Sequence, residues 1–405
     1  MGKFVLFPIA KFEYDEAGGS IIDLLNYERI NYNKTEKDCL LNLFNADIDN
    51  VNDLDIQSKR IIKRLIDNGY GYIYKNNVYN DTHLKNRVFE IRGLAEDIPY
   101  FSKIYLEIGN KCNLKCAYCS DDIKVGSACN TCIKWKKHND ETAKKFNFYN
   151  IIKRICKLWV EEFVFSGGNP ILERELLIEY ILLIRNILPK VKISINFNGC
   201  GLDNELTYFF AEHNIRLNIT VLGYDSKSYL ATTNEVNVFD EVKKNIKLCV
   251  DNNVEYYVVF LGNYNKEKNT GLDFDSASDI IYNSHVYSGE YMICKEDTFE
   301  ERKKRISVNY ELNQKFNSCL NGRLAITSTG IIKPCPMIDD ELLDLNNSSF
   351  NDLFQHEIID RYWRFTKRNV KLCSKCPYKY SCEDCTAIEI EMNKGTINPK
   401  LVCDR

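Results

Sequence analysis

Cys112-Asn113-Leu114-Lys115-Cys116-Ala117-Tyr118-Cys119 is the stretch on which the reading of this chain turns. Three thiols at C-x3-C-x2-C spacing can hold three corners of a four-iron cluster, which leaves one iron open for a ligand. Two plainer sites use the same residue types. A zinc knuckle favours C-x2-C pairs with a fourth ligand close by, and a ferredoxin-type site takes four cysteines per cluster. An open-cornered cluster fits this spacing better than either.

A second group of thiols lies near the C-terminus: Cys319, Cys335, Cys373, Cys376, Cys382, Cys385 and Cys403. Arg323-Leu324-Ala325-Ile326-Thr327, turning at Ser328-Thr329-Gly330 into Ile331-Ile332-Lys333, reads as a hairpin. Cys319 and Cys335 bracket it, so pairing its strands would bring the two thiols together, as shared ligation of one cluster requires. A zinc ribbon built from two C-x2-C pairs is the alternative; it leaves Cys319, Cys335 and Cys403 without a role.

The chain has 405 residues, a formal net charge of -3 and 17 cysteines. That length allows two or three domains, and the charge provides no general basic field for nucleic acid or an anionic membrane. The N-terminus lacks the features of a secretory signal, so a cytoplasmic location with reduced thiols is expected. The longest apolar run, 176–188, is interrupted by Glu179, Arg185 and Asn186 and falls short of the roughly 18 residues that span a bilayer.

From about residue 100 strands and helices alternate. Strands are expected at Ile104–Ile108, Phe163–Phe165, Ile193–Phe197, Leu217–Leu222 and Tyr256–Leu261, with helices near 143–160, 173–188, 203–213 and 238–252. Such alternation implies parallel strands joined by right-handed crossovers. Ser166-Gly167-Gly168-Asn169-Pro170 sits at the second strand–helix turn, where glycines permit close backbone approach. Asn198-Gly199 ends the third strand; a plain turn is the other reading of both segments. Seven cysteines remain, Cys39, Cys129, Cys132, Cys156, Cys200, Cys249 and Cys294, and most read as small buried hydrophobes. Cys129-Asn130-Thr131-Cys132, with His138 six residues on, can instead bind metal or lie near substrate.

Residues 1–95 have a different character. Gly19–Asn26 reads as strand and turn, Thr35 as the cap of a helix from Glu36 to Phe44, Ser58–Gly69 as a second helix closed by glycine, and Tyr70–Tyr79 as a hairpin turning at Asn76-Asn77. Strand, helix, helix and wing describe a winged-helix-like module. Lys59, Lys63 and Arg64 are offset by Asp47, Asp49, Asp53, Asp55 and Asp67, which leaves no basic stripe for DNA.

Taken together, the cysteine loop and the glycine pair resemble the radical S-adenosylmethionine (SAM) superfamily, and the downstream cysteines, with Gly330 five residues before Cys335, resemble its SPASM extension. The resemblance implies a partial (β/α)6 barrel with a C-terminal cysteine-rich extension. It implies a [4Fe-4S] cluster on Cys112, Cys116 and Cys119 that, with SAM, yields a 5′-deoxyadenosyl radical. It assigns SAM contacts to Ser166, Gly167, Gly168, Asn169 and Pro170, where Asn169 replaces the usual glutamate, and to Tyr118 and Asn198. Two auxiliary [4Fe-4S] clusters are implied, one on Cys319, Cys335 and Cys385 with no evident fourth ligand, the other on Cys373, Cys376, Cys382 and Cys403. Cys382 and Cys385 have two residues between them where many members have three.

The expected organisation is therefore a leader-binding module at 1–95, a barrel at 100–293, and a helical bridge with the auxiliary-cluster domain at 294–405. The N-terminal module is similar to the peptide-recognition elements of enzymes that modify ribosomally made peptides. The implied function is maturation of a precursor peptide by hydrogen abstraction, giving a thioether, a carbon–carbon crosslink or an oxidised residue. The implied partners are that precursor with its leader and a low-potential donor such as ferredoxin or flavodoxin, with neither nucleic acid nor membrane involved. A formylglycine-generating sulfatase maturase shares the cluster set, and a redox sensor or scaffold binding peptide or DNA is the alternative of another kind. No catalytic side chain is identified.

Overall fold

The computed structural model describes residues 3–7, 9–26, 28–45, 53–74, 100–119, 125–126, 129–135, 146–261, 272, 276–283, 285–287, 290–292, 309–382, 385–399 and 403. The turn expected at Asn76-Asn77, together with His138 and Cys294, lies outside them. The chain forms two compact units, one of Met1–Glu96, Thr298–Ser318 and Phe365–Glu383, the other of Asp97–Asp297, Cys319–Arg364 and Asp384–Arg405.

The first unit runs β1 (Lys3–Leu6), β2 (Ala10–Tyr14), β3 (Gly18–Asp23), β4 (Arg29–Asn33), α1 (Lys34–Asn45), α2 (Ile56–Asp67) and β5 (Gly71–Tyr74). β2, β3 and β4 form an antiparallel meander, and β1 pairs with β5. The cap of α1 is Asn33, two residues before the expected Thr35. Its Oδ1 accepts from Glu36 N at 3.0 Å while Glu36 Oε2 accepts from Asn33 N at 2.9 Å, so the two orphan donors satisfy one another's residues. α2 is capped by Asp55, which accepts from Ser58 N at 2.9 Å, and it buries Ile61, Ile62 and Leu65 at helical spacing. Its Ile61 and Leu65 meet Ala10, Ile21, Tyr32, Leu40 and Tyr70 in the module's core.

Late segments of the chain are built onto this module. Tyr310 is buried with Ile22 and Tyr380, and its hydroxyl donates to Glu13 Oε1 at 2.8 Å. Lys379 Nζ reaches Glu13 Oε2 at 3.1 Å, and Arg29 donates to Ser381 Oγ at 2.8 Å. The segment carrying Cys373, Cys376 and Cys382 is thus part of the same unit as the N-terminal strands.

In the main sheet of the second unit the strands are β6 (Lys103–Leu106), β7 (Glu162–Phe165), β8 (Lys192–Phe197), β9 (Ile215–Val221), β10 (Tyr256–Leu261), β11 (Asp279–Asn283), β12 (Arg323–Ile326), β13 (Ile331–Lys333) and β14 (Leu343–Asp344). The helices are α3 (Tyr149–Ile155), α4 (Arg174–Ile187), α5 (Asn204–Glu212), α6 (Ser226–Thr233), α7 (Val238–Asp251) and α8 (Thr386–Lys394). Strand order is β11-β10-β9-β8-β7-β6-β12-β13-β14. β6 to β11 are all parallel, which is the expected partial (β/α)6 barrel. The expected hairpin is present too: β12 runs parallel to β6 and antiparallel to β13, so the C-terminal extension continues the barrel sheet. α6 and β11 are additions to the expected set.

Side chains alternate between two faces of the sheet. Ile104, Leu106, Phe163, Phe165, Ile193, Ile195, Phe197, Leu217 and Ile219 join the main core beneath the helices. On the opposite face Ser166, Asn196, Asn198, Asn218 and Thr220 are buried and polar. At the start of β7 buried Glu162 accepts from Ser194 Oγ at 2.7 Å, is paired with Lys103 Nζ at 3.0 Å, and also binds Arg216. This is the end of the strands where barrels keep stability rather than chemistry.

Burial alone would raise the Glu162 carboxyl, but Lys103, Arg216 and Ser194 outweigh it and hold it below the usual carboxylate range. A lowered folded value means stabilisation that is fully present above the unfolded carboxylate range and is lost as pH falls through the folded one. Glu162→Gln leaves two partly buried cations, Lys103 and Arg216, poorly paired and should cost about 1–3 kcal/mol. Thermal denaturation against pH is expected to show a lower Tm for the variant at neutral pH and a difference from wild type that shrinks in acid.

Candidate cluster and cofactor site

The cysteine loop leaves the C-terminal end of β6 and folds back under the turn that follows β7. Gly167 and Gly168 adopt positive φ angles of 94° and 58°. A Cβ on Gly168 would stand 2.2 Å from the Lys111 carbonyl oxygen, and one on Gly167 would stand 2.6 Å from Glu107 Cγ. Only glycine fits both contacts. The turn then binds the loop directly, Asn169 N donating to Lys111 O at 2.8 Å.

Donors in this loop are aimed at sulfur. Cys112 Sγ accepts from Leu114 N at 3.5 Å and from Asn198 Nδ2 at 3.6 Å, and Cys119 Sγ accepts from Lys134 N at 3.3 Å. Burial raises the Cys116 thiol, and the nearby sulfurs of Cys132, Cys119 and Cys112 raise it further. The three loop thiols are therefore neighbours, and N–H groups directed at them are what a thiolate-held cluster uses to settle its charge. Among the described residues no group of three or more Cys, His, Asp or Glu side chains is placed to hold a single metal ion.

Asn169 organises the rest. Its Nδ2 lies 3.1 Å from Asn113 Oδ1, 3.2 Å from Asn198 Oδ1 and 3.3 Å from Cys200 O, while its Oδ1 accepts from Ile171 N at 3.3 Å and caps the turn begun by Pro170. Asn198 Nδ2 in turn donates to Asn113 Oδ1 at 2.9 Å. A glutamate here would confront three oxygen acceptors with no proton to give, so the amide suits this surrounding. Deeper in the barrel Asn218 Nδ2 donates to Asn196 Oδ1 at 2.8 Å, whereas Asn218 Oδ1 is buried with no hydrogen-bond partner among the described residues. A polar interior beside an unsatisfied carbonyl is suited to a polar cofactor.

The 129–135 segment separates two thiol groups. Tyr118 is buried with its hydroxyl 3.7 Å from Cys132 Sγ, and Cys132 N donates to Thr220 Oγ1 at 2.8 Å. Three residues earlier, Cys129 Sγ faces the C-terminal extension. Arg323 Nη1 reaches Cys129 Sγ at 3.0 Å and Cys319 Sγ at 3.4 Å. Sequence reasoning placed Cys319, Cys335 and Cys385 together; burial, before any neighbouring charge, pushes the Cys335 and Cys385 thiols up. It left the role of Cys129 open between metal binding and a place near substrate, and gave none to Arg323, Asn113 or Glu107. Glu107 Oε2 accepts from Ser328 N and Oγ at 3.0 and 3.1 Å, at the hairpin turn. Cys373, Cys376 and Cys382 lie in the first unit and Cys403 in the second; Lys367 Nζ is 3.7 Å from Cys382 Sγ.

Residues 106–270 match the Radical SAM superfamily. A protein of Methanocella arvoryzae named "Probable GTP 3′,8-cyclase" is 24% identical over 314 residues, which cover 69% of this chain and 95% of that one. Among solved structures, anSMEcpe with bound AdoMet and Kp18Cys peptide aligns with a TM-score of 0.50 at 14% identity, covering 75% of this chain and 98% of that one. Streptococcus suis SuiB bound to S-adenosylmethionine aligns over 96% of each chain at 14% identity, with a TM-score of 0.49.

Asn169→Asp removes a donor that serves three acceptors and adds a charge. Leaving such groups unsatisfied costs about 1–3 kcal/mol, so the variant should unfold at a lower temperature than the parent protein. Thermal denaturation measures it.

Proposed function

We propose that this radical SAM protein matures a ribosomally made precursor peptide, which the first unit binds while the barrel carries out hydrogen abstraction. In that reading Cys112, Cys116 and Cys119 hold the [4Fe-4S] cluster, and Tyr118, the Ser166–Pro170 turn and Asn198 receive SAM. The bound cofactors supply a 5′-deoxyadenosyl radical. The chain's own part is to present three thiols on a loop fixed from both sides, to offer buried amides for a polar ligand, and to exclude water with an apolar outer layer. Cys319, Cys335 and Cys385 would serve one auxiliary cluster and Cys373, Cys376, Cys382 and Cys403 the other, with electrons from ferredoxin or flavodoxin.

The observation that carries the peptide reading is the edge strand β2. It pairs with β3 on one side, and beside it lies a cleft of about 520 Å³ lined by Glu13, Tyr14, Asp15, Lys37, Lys375 and Lys379. An extended segment can add to such an edge through main-chain hydrogen bonds, with side-chain specificity from the mixed charges. A structure of the same fold, anSMEcpe, was obtained with a peptide. The relatives named GTP 3′,8-cyclase favour a second reading, in which the substrate is GTP.

With dithionite and SAM the reconstituted protein is expected to form 5′-deoxyadenosine, and the variant with Cys112, Cys116 and Cys119 replaced by alanine to form none. Three cluster sites correspond to about twelve irons per chain, about four of which the triple variant loses. If a short reading frame lies beside the gene, co-expression with its peptide should change the peptide's mass, and a photo-crosslinker in its leader should label residues 10–16. A new nucleotide from GTP, with the peptide unmodified and residues 10–16 unlabelled, would overturn the peptide reading in favour of the second.

A further inference from the structure

We infer that Cys129 is the fourth ligand of the first auxiliary cluster, completing a four-thiolate site with Cys319, Cys335 and Cys385; this rests on the proposal that an auxiliary cluster occupies those three. Three thiolates leave one corner of a four-iron cluster unfilled, and the C-terminal extension offers no other cysteine in the second unit except Cys403, which the proposed function gives to the second auxiliary cluster. The barrel supplies the missing one. Cys129 Sγ lies beside Cys319 Sγ, the two sharing Arg323 Nη1 at 3.0 and 3.4 Å.

Arg323 supports this grouping. It stands at the start of β12, next in space to Lys103 of β6, and the hydrogen bonds of its Nη1 go to the sulfurs of Cys129 and Cys319. One guanidinium nitrogen within reach of both sulfurs places Cys129 and Cys319 side by side, although they come from the barrel and the extension. The segment itself is held in place. Asn196 Nδ2 reaches the Cys129 carbonyl at 3.4 Å and Thr220 accepts the Cys132 amide, which directs Cys132 to the loop thiols and Cys129 to the auxiliary ones. A single zinc ion would need at least three of these groups to converge on one point, and among the described residues none do. A four-iron cluster instead spreads its thiolates, one to each iron.

The chemical consequence narrows the proposed function. With four protein thiolates no iron of that cluster is open, so a substrate thiol does not bind it, and its role is electron transfer.

The test uses full-length protein in which Cys112, Cys116 and Cys119 are alanine, so that the SAM-site cluster is silent. Iron content and the electron paramagnetic resonance spectrum of the dithionite-reduced protein are compared with and without Cys129→Ala, Cys129→Ser, Cys132→Ala and Cys319→Ala. Folding of each is checked by circular dichroism. Cys129→Ala is expected either to lose about four irons, as Cys319→Ala does, or to keep them with a changed spectrum that shifts again on adding cyanide. Cys129→Ser should retain iron with altered g values, while Cys132→Ala leaves the spectrum unchanged. If Cys319→Ala removes about four irons but both Cys129 variants keep the parent spectrum and ignore cyanide, the auxiliary cluster stands and the fourth-ligand inference is wrong. If Cys319→Ala changes neither iron nor spectrum, or zinc fills the site, the auxiliary-cluster reading fails first.

Discussion

The peptide N–H of Asn169 donates to the carbonyl of Lys111 across 2.8 Å, and the neighbouring Gly168 makes that approach possible by having no Cβ. Much of the site depends on this one close contact. It joins the turn after β7 to the residue immediately before Cys112, so the two βα units that supply thiols and polar amides cannot move independently. Because Asn169 then projects its amide toward Asn113, Asn198 and Cys200, the third strand is tied in as well. A side chain as small as alanine at Gly168 would press against backbone, which has nowhere to yield.

Much of this arrangement can be read in the residues. The C-x3-C-x2-C loop, the glycine pair and the alternation of strands with helices led to a parallel barrel with its cysteine loop at the strand ends. The hairpin between Cys319 and Cys335 followed from β-rich runs about a glycine turn. Other features had a signal that went unused. Ile193-Ser194-Ile195-Asn196-Phe197-Asn198 alternates where a parallel strand covered by helices ordinarily reads as continuously apolar, and the alternating polar residues form the interior face. Ala10-Lys11-Phe12-Glu13-Tyr14 alternates in the same way and is a strand.

Some of the site was beyond sequence reasoning for a physical reason. Cys129 and Cys319 are 190 positions apart and meet because β12 pairs with β6, a long-range choice that no local pattern records. The same holds for Glu13 with Tyr310 and Lys379, which place cysteines from late in the chain in a unit begun by its first strands. A boundary drawn along the sequence cannot express that. Truncating the N-terminal strands would therefore strip the support from residues that carry Cys373, Cys376 and Cys382.

Cys129 and Cys132 are separated by two residues, yet one faces the thiols of the extension and the other those of the barrel loop. Three peptide units span at most about 11 Å even when fully extended. The covalent chain therefore acts as a ruler between the two groups, one that no loosening of the surrounding packing can lengthen. If the two thiol groups hold clusters as proposed, this short segment keeps the clusters near one another, which favours electron tunnelling because its rate falls exponentially with distance. Inserting residues between Cys129 and Cys132 would stretch that ruler directly.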